Sequence, residues 1–139
     1  MSEPARAQFQ AAGEGKLPGL LDLELIEATT DRFIGRFSVA QKHMAPNGFL
    51  HAASIIALAD TLCGYATVAN MPAGANGFTT IELKSNFLST ARDGGVRAVA
   101  TPIHRGRTTQ VWDALVTREA DGATIALFRC TQMILYPKA

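Results

Sequence analysis

The stretch from Asn47 to Thr67 (Asn-Gly-Phe-Leu-His-Ala-Ala-Ser-Ile-Ile-Ala-Leu-Ala-Asp-Thr-Leu-Cys-Gly-Tyr-Ala-Thr) restricts the fold more than any other part of the chain. From Leu50 onward it predicts one long helix. Ala and Leu dominate, no proline interrupts it, and the turn pair Asn47-Gly48 precedes it. The segment is apolar almost all the way round, which predicts burial on several sides. One full charge breaks it, Asp60. A carboxylate inside a buried helix has poor propensity and a large desolvation cost, so chemistry is the leading reason to keep it.

The flanks read as strands. Leu20 to Ala28 and Phe33 to Val39 alternate apolar and polar residues and predict a hairpin. After the loop Met71–Gly77 come four more strands, over 78–88, 96–103, 108–118 and 124–136, separated by short turns that predict an antiparallel meander. In the first of the four, Ile81, Leu83 and Phe87 are expected to face the core, with Thr80, Glu82, Lys84 and Asn86 opposite. The last is apolar on both faces, which predicts cover on both sides. The class is therefore α+β: an antiparallel sheet wrapped around one long central helix, the only large object able to cover its apolar face. Residues 1–16 read as an arm or short helix and 17–139 as one domain. The outer face and edges of such a sheet stay partly apolar, which argues for an oligomer.

Composition removes several function classes. With 139 residues, 47% hydrophobic and 18% charged, the chain is a compact domain. A net charge of +1 gives no electrostatic case for nucleic acid or an anionic membrane. The central helix has the length of a membrane span, but His51, Asp60, Gly64 and its hydroxyls argue against one. Met-Ser-Glu-Pro-Ala-Arg lacks the blocks of a signal peptide, and Cys63 and Cys130 sit among apolar residues as buried thiols, so a cytoplasmic setting is expected. His43, His51 and His104 show no metal-ligand spacing, and no phosphate loop or nucleophile elbow is present; no metal or cofactor is expected.

Gly48, His51, the small pair Ala52-Ala53 and Asp60 nine positions after the histidine, with the strand 77–90 and the basic turn Arg105-Gly106-Arg107, resemble the hotdog-fold acyl-CoA thioesterases of the phenylacetate-degradation (PaaI-like) type. The resemblance covers about residues 20–136. It implies a hydrolase acting on an acyl-CoA. The chain departs from the family in carrying Ala52-Ala53 where two glycines are usual. It also has Ala45 where Asn or Gln often stands, with Asn47 as a nearby substitute.

Nine positions on one helix put His51 and Asp60 on nearly opposite sides, roughly 13 Å apart along the axis. They cannot share a site within one protomer but could across a two-fold dimer, or in a dimer of dimers. The helix start offers free N–H groups and partial positive charge, so Ala52 N–H is the candidate oxyanion donor, oriented by His51. Asp60 would attack the thioester directly or deprotonate water; the alternative is a structural carboxylate tied to a backbone or hydroxyl partner. His51 could equally be a plain cap. The resemblance implies a hydroxyl on the following strand, Thr80, which could otherwise be an ordinary strand threonine. Gly64, one turn past Asp60, either leaves room for an acyl chain or serves tight helix–sheet packing. The resemblance implies that the turn Arg105, Gly106 and Arg107 lies near the coenzyme A phosphates, with Arg92 and Lys84 as weaker candidates; otherwise it is a plain hairpin turn with exposed charges. The Ala, Gly, Leu and Phe around the helix suit aryl or medium-chain acyl groups. The alternative from another class is a non-catalytic acyl-CoA-binding sensor. An enoyl-CoA hydratase on this fold would pair Asp and His a few residues apart, which this chain does not.

Overall fold

A computed structural model describes residues 3–139, with side chains from Ala5 onward. The first two residues of the expected arm lie outside the described residues. The elements are α1 (Glu3–Ala12), α2 (Leu17–Leu20), β1 (Glu24–Ala28), β2 (Phe33–Ser38), α3 (Ala52–Ala69), β3 (Gly77–Phe87), β4 (Gly95–Arg105), β5 (Thr109–Arg118) and β6 (Thr124–Leu135). The strands form one antiparallel sheet, in the order β1-β2-β4-β5-β6-β3, and α3 packs on one face of it. This is the hotdog architecture.

Small residues let the helix sit close. Ala98, Ala100 and Ala114 are buried under α3 beside Phe33, Phe37, Val96, Trp112 and Val116. At Gly35 a Cβ would lie 2.8 Å from a Leu62 methyl and 3.0 Å from the Glu24 carbonyl, so the sheet has no room there for a side chain. From α3, Ile55, Leu58, Ala59, Leu62, Cys63 and Ala66 complete the core. Each large side chain among them contributes about 1.5–3 kcal/mol by leaving water.

Five expectations need correction. The last four strands do not form a meander: β3 pairs with β6, and β4 returns to β2. The link 88–94 makes this possible. Seven residues reach up to about 23 Å, more than the roughly 14 Å that separates strands three places apart. The link is pinned, since Leu50 N–H donates to Thr90 Oγ1 at 3.1 Å and Arg118 donates to Ser89 Oγ and Thr90 O. As an edge strand, β3 also leaves Ile81, Leu83 and Phe87 outside the core, 52%, 39% and 42% exposed. β6 is covered on one face only, with Leu127, Met133 and Leu135 exposed on the other. The strand expected from Leu20 starts at Glu24, because Leu17–Leu20 turns as a short helix with Pro18 in its first turn. Finally, α3 starts two residues after Leu50, and one stripe of it stays open: Ala53, Ala57, Asp60, Gly64 and Val68 share a side at 100° per residue, and none is buried.

The two sheet edges differ. Along β1 the Gln10 side chain of α1 acts like a strand backbone: its amide Nε2 donates to Leu23 O at 2.9 Å while its Oε1 accepts from Leu25 N–H at 2.6 Å. Phe9 of α1 seats edge-on against Phe33 and beside Tyr65. The start of that edge is thus covered, whereas among the described residues the outer edge of β3 has no strand beside it.

Candidate active site

The start of α3 is built by the loop before it. His43 is fully buried, stacked on Phe37 with ring centroids 4.3 Å apart. Its Nδ1 accepts from Ala40 N–H, its Nε2 lies 2.7 Å from Leu21 O, and its carbonyl receives both His51 N–H at 3.0 Å and Ser54 Oγ at 2.9 Å. That carbonyl therefore fixes where the helix begins. His51 is the N-cap, with Nδ1 accepting from Ala53 N–H at 2.9 Å. Ser54 N–H goes to His51 O at 2.9 Å. Of the first N–H groups, Ala52's alone is left with no hydrogen bond, and it is exposed. A cap that uses the histidine ring thus consumes one donor and leaves its neighbour at the positive end of the helix dipole.

Asn47 sits on the exposed loop, its Oδ1 accepting from Phe49 N–H at 3.3 Å. Gly48 has φ +86°, a left-handed conformation that favours glycine. The Arg92 guanidinium lies 5.2 Å over the Phe49 ring. Arg92, Met44, Ala45 and Gly48 line a surface cleft beside the helix start.

Asp60 lies midway along the open stripe. Its Oδ1 is shielded from solvent and has no hydrogen-bond partner, and burial raises its pKa above the ordinary aspartate value. An unpartnered buried acceptor of this kind costs about 1–3 kcal/mol, more when charged. Cys63 follows on the next turn, buried and in hydrogen-bond contact with Cys130 of β6; both are free thiols, and this contact with burial holds the Cys63 thiol well above its usual range. Gly64 lies against Phe78 of β3, whose ring comes 3.4 Å from where a Cβ would be. Gly64 thus packs against this ring while staying partly exposed on the open stripe.

The alternation of β3 is broken at Ile81. Thr80 pairs with Gln132 and Glu82 with Thr131, which makes Ile81 an extra residue, a β-bulge. Thr80 consequently shares the inner face with Phe78, Leu83 and Ser85, not the outer face with Glu82, Lys84 and Asn86 as expected. The helix and β3 run in opposite directions. One turn back from Gly64 spans about 6 Å, the same as two strand residues on from Phe78, which brings Asp60 level with the stretch that starts at Thr80.

The Thr80 hydroxyl donates to Gln132 Oε1 at 2.6 Å. Gln132 is wholly buried, and its Nε2 has no partner; the buried Ser85 Oγ has none either. Among the described residues these two and Asp60 Oδ1 are the unpartnered buried side-chain atoms. Sequence reading missed Gln132 and Ser85. The available signal was an amide at an inward position of an otherwise apolar strand, which Gln110 shares. Gln110, however, is satisfied: it accepts from Trp112 Nε1 and donates to Asn70 O, both at 2.9 Å.

The basic candidates do not converge within one protomer. Arg92 is beside the helix start. Lys84 is on the outer face of β3, opposite Arg129. Arg105 is at the other end of α3, where it holds Thr30 O, Asp31 and the C-cap residue Asn70. Arg107 lies over the Tyr136 ring, and the Tyr136 hydroxyl donates to its carbonyl. Gly106 is confined between His104 and the Thr109 carbonyl, 2.5 Å and 3.0 Å from a Cβ position.

Residues 47–125 match the family model described as thioesterase superfamily. The chain is 30% identical over 130 residues to a 1,4-dihydroxy-2-naphthoyl-CoA hydrolase of Escherichia coli, covering 91% of this chain and 92% of that one. A crystal structure of a glutamine-to-alanine variant of the thioesterase PA1618 from Pseudomonas aeruginosa superposes with a TM-score of 0.89 at 28% identity, covering 96% of each chain. The PaaI protein of the E. coli phenylacetic acid degradation operon shares the fold, with a TM-score of 0.80 at 20% identity over 95% of this chain and 94% of that one. The matched segment holds the helix start, the open stripe and the bulged strand, and this chain belongs to the thioesterase superfamily of hotdog proteins.

Proposed function

We propose that the protein hydrolyses an aryl- or medium-chain acyl-CoA to the free acid and coenzyme A, at sites formed between two copies of the chain. The observation that carries this reading is Asp60: a carboxylate oxygen kept without a partner, on the one side of α3 that the protomer leaves open. Within a protomer Asp60 and Ala52 N–H lie about 12 Å apart along the axis of α3, so each needs a counterpart from elsewhere. A two-fold axis beside the open β3 edge supplies both, with Asp60 of one copy facing the helix start of the other.

In that arrangement the thioester carbonyl oxygen accepts from Ala52 N–H. A water gives one proton to Asp60 and attacks the carbonyl carbon. The resulting oxyanion is held by the same N–H and by the helix dipole. Collapse of the intermediate breaks the C–S bond, and the coenzyme A thiolate leaves and takes up a proton. Direct attack by Asp60, through a mixed anhydride, is the competing route. His51 acts by ordering the helix start, since its ring is committed to Ala53. Arg92 stands at the helix start, where it suits a phosphate of the coenzyme.

The test is thiol release from a panel of phenylacetyl-, benzoyl- and medium-chain acyl-CoAs. Turnover on at least one class supports the reading. Binding without release by the whole panel would instead identify an acyl-CoA-binding protein.

A further inference from the structure

We propose that Gln132 is a positioning residue for this hydrolysis: by taking the proton of the Thr80 hydroxyl, it leaves Thr80 only lone pairs to offer, so that Thr80 accepts a hydrogen bond from the attacking water. The inference rests on the thioesterase reading above and extends it to a residue behind the site.

A threonine hydroxyl has one proton and two acceptor positions. At 2.6 Å the Thr80–Gln132 contact has the length of an O–H···O bond and is shorter than N–H···O bonds usually are. Gln132 therefore presents Oε1, and Thr80 is the donor. Thr80 is exposed on the inner face of β3, while Gln132 is sealed behind it. Gln110, the cross-strand neighbour of Gln132, has both amide atoms engaged with Trp112 and Asn70 and does not compete for the Thr80 proton. The unpartnered Gln132 Nε2 indicates that the residue is not held there by a closed structural network of its own.

A water between Asp60 and Thr80 then meets two acceptors. It gives one proton to each, and a lone pair is left directed away from both, toward the thioester carbon. On attack the proton facing Asp60 transfers to the carboxylate, and the bond to Thr80 stays a hydrogen bond. This arrangement favours water activation over direct attack by Asp60.

The test is a double-mutant cycle in kcat and KM with Gln132→Met and Thr80→Val, on the acyl-CoA turned over fastest by the wild type. Gln132→Met should lower kcat by about tenfold to a hundredfold with KM little changed, because the water loses its orientation and the substrate does not. In the Thr80→Val background the same change should cost nothing further. An equal loss in both backgrounds would show a general packing role and overturn the proposal, as would wild-type kcat in Gln132→Met. If Gln132→Met does not fold, Gln132→Asn carries the same cycle: its oxygen stops one methylene short of Thr80, so kcat should fall in the wild-type background and no further in Thr80→Val, and an equal loss in both overturns the proposal. A wild type without thiol release sinks the hydrolase reading and this inference with it. An active wild type with an additive cycle sinks the role of Gln132 alone.

Discussion

Asp60 carries two opposite demands. The fold strips its carboxylate of water and gives Oδ1 no donor, which favours the neutral form, while base chemistry needs the anion. Asp60→Asn should therefore separate function from stability. Turnover should fall by about two to four powers of ten, read as kcat for thiol release. The effect on stability runs the other way. In strong acid the carboxyl is protonated in both the folded and the unfolded chain and contributes no pH dependence. As pH rises past the ordinary aspartate value, the unfolded chain ionises first, so the folded state loses stability until Asp60 ionises in it as well. At neutral pH the variant should melt at a higher temperature than the wild type, and the gap should close as the pH falls below the ordinary aspartate value. A gap that widened toward acid would contradict a raised pKa at this carboxyl. The suspicion that Asp60 is special was available from the sequence, since a lone charge in an apolar helix is visible there. The pairing of Gln132 with Thr80 was not visible, because an amide in a strand has no preferred partner until the bulge at Ile81 fixes the register.

At the level of elements, the helix and the flanking strands could be read from pattern, and the order of pairing could not. Short turns imply neighbours, yet the link between β3 and β4 is long enough to cross the sheet, and its course is set by Arg118 and Leu50, which are distant in sequence. The apolar alternation of β3 predicted a core face, and Ile81, Leu83 and Phe87 stand exposed instead, since the same pattern serves a core or an interface. Two packing contacts can be tested directly. Gly35→Ala puts a methyl against Leu62 and the Glu24 carbonyl, neither free to retreat, and should destabilise the fold by about 1–3 kcal/mol in urea titrations. Gln10→Ala removes two hydrogen bonds from the β1 edge and should cost about 1–3 kcal/mol in all, with the Leu25 amide exchanging its hydrogen faster while amides in β5 keep their protection.

For the whole molecule the main asymmetry is between the two ends of the sheet. Lysines at Leu83 and Phe87, on the inner face of the open edge, should leave the protomer folded, with an unchanged far-ultraviolet dichroism spectrum. The same pair should shift the mass in solution to that of one chain and abolish turnover, because Asp60 would no longer meet a helix start. A monomer that still turned over substrate would remove the shared site. The Gln10 amide, described above as a stand-in for a missing strand, has a further effect on how far copies can add to one another. A sheet that could bind a neighbour at either end could add copies without limit, as in fibres. Here Gln10 occupies the start of the β1 edge from within, so under the shared-site proposal the first neighbour to join at β3 would take the last vacancy, and growth by strand addition would halt at two.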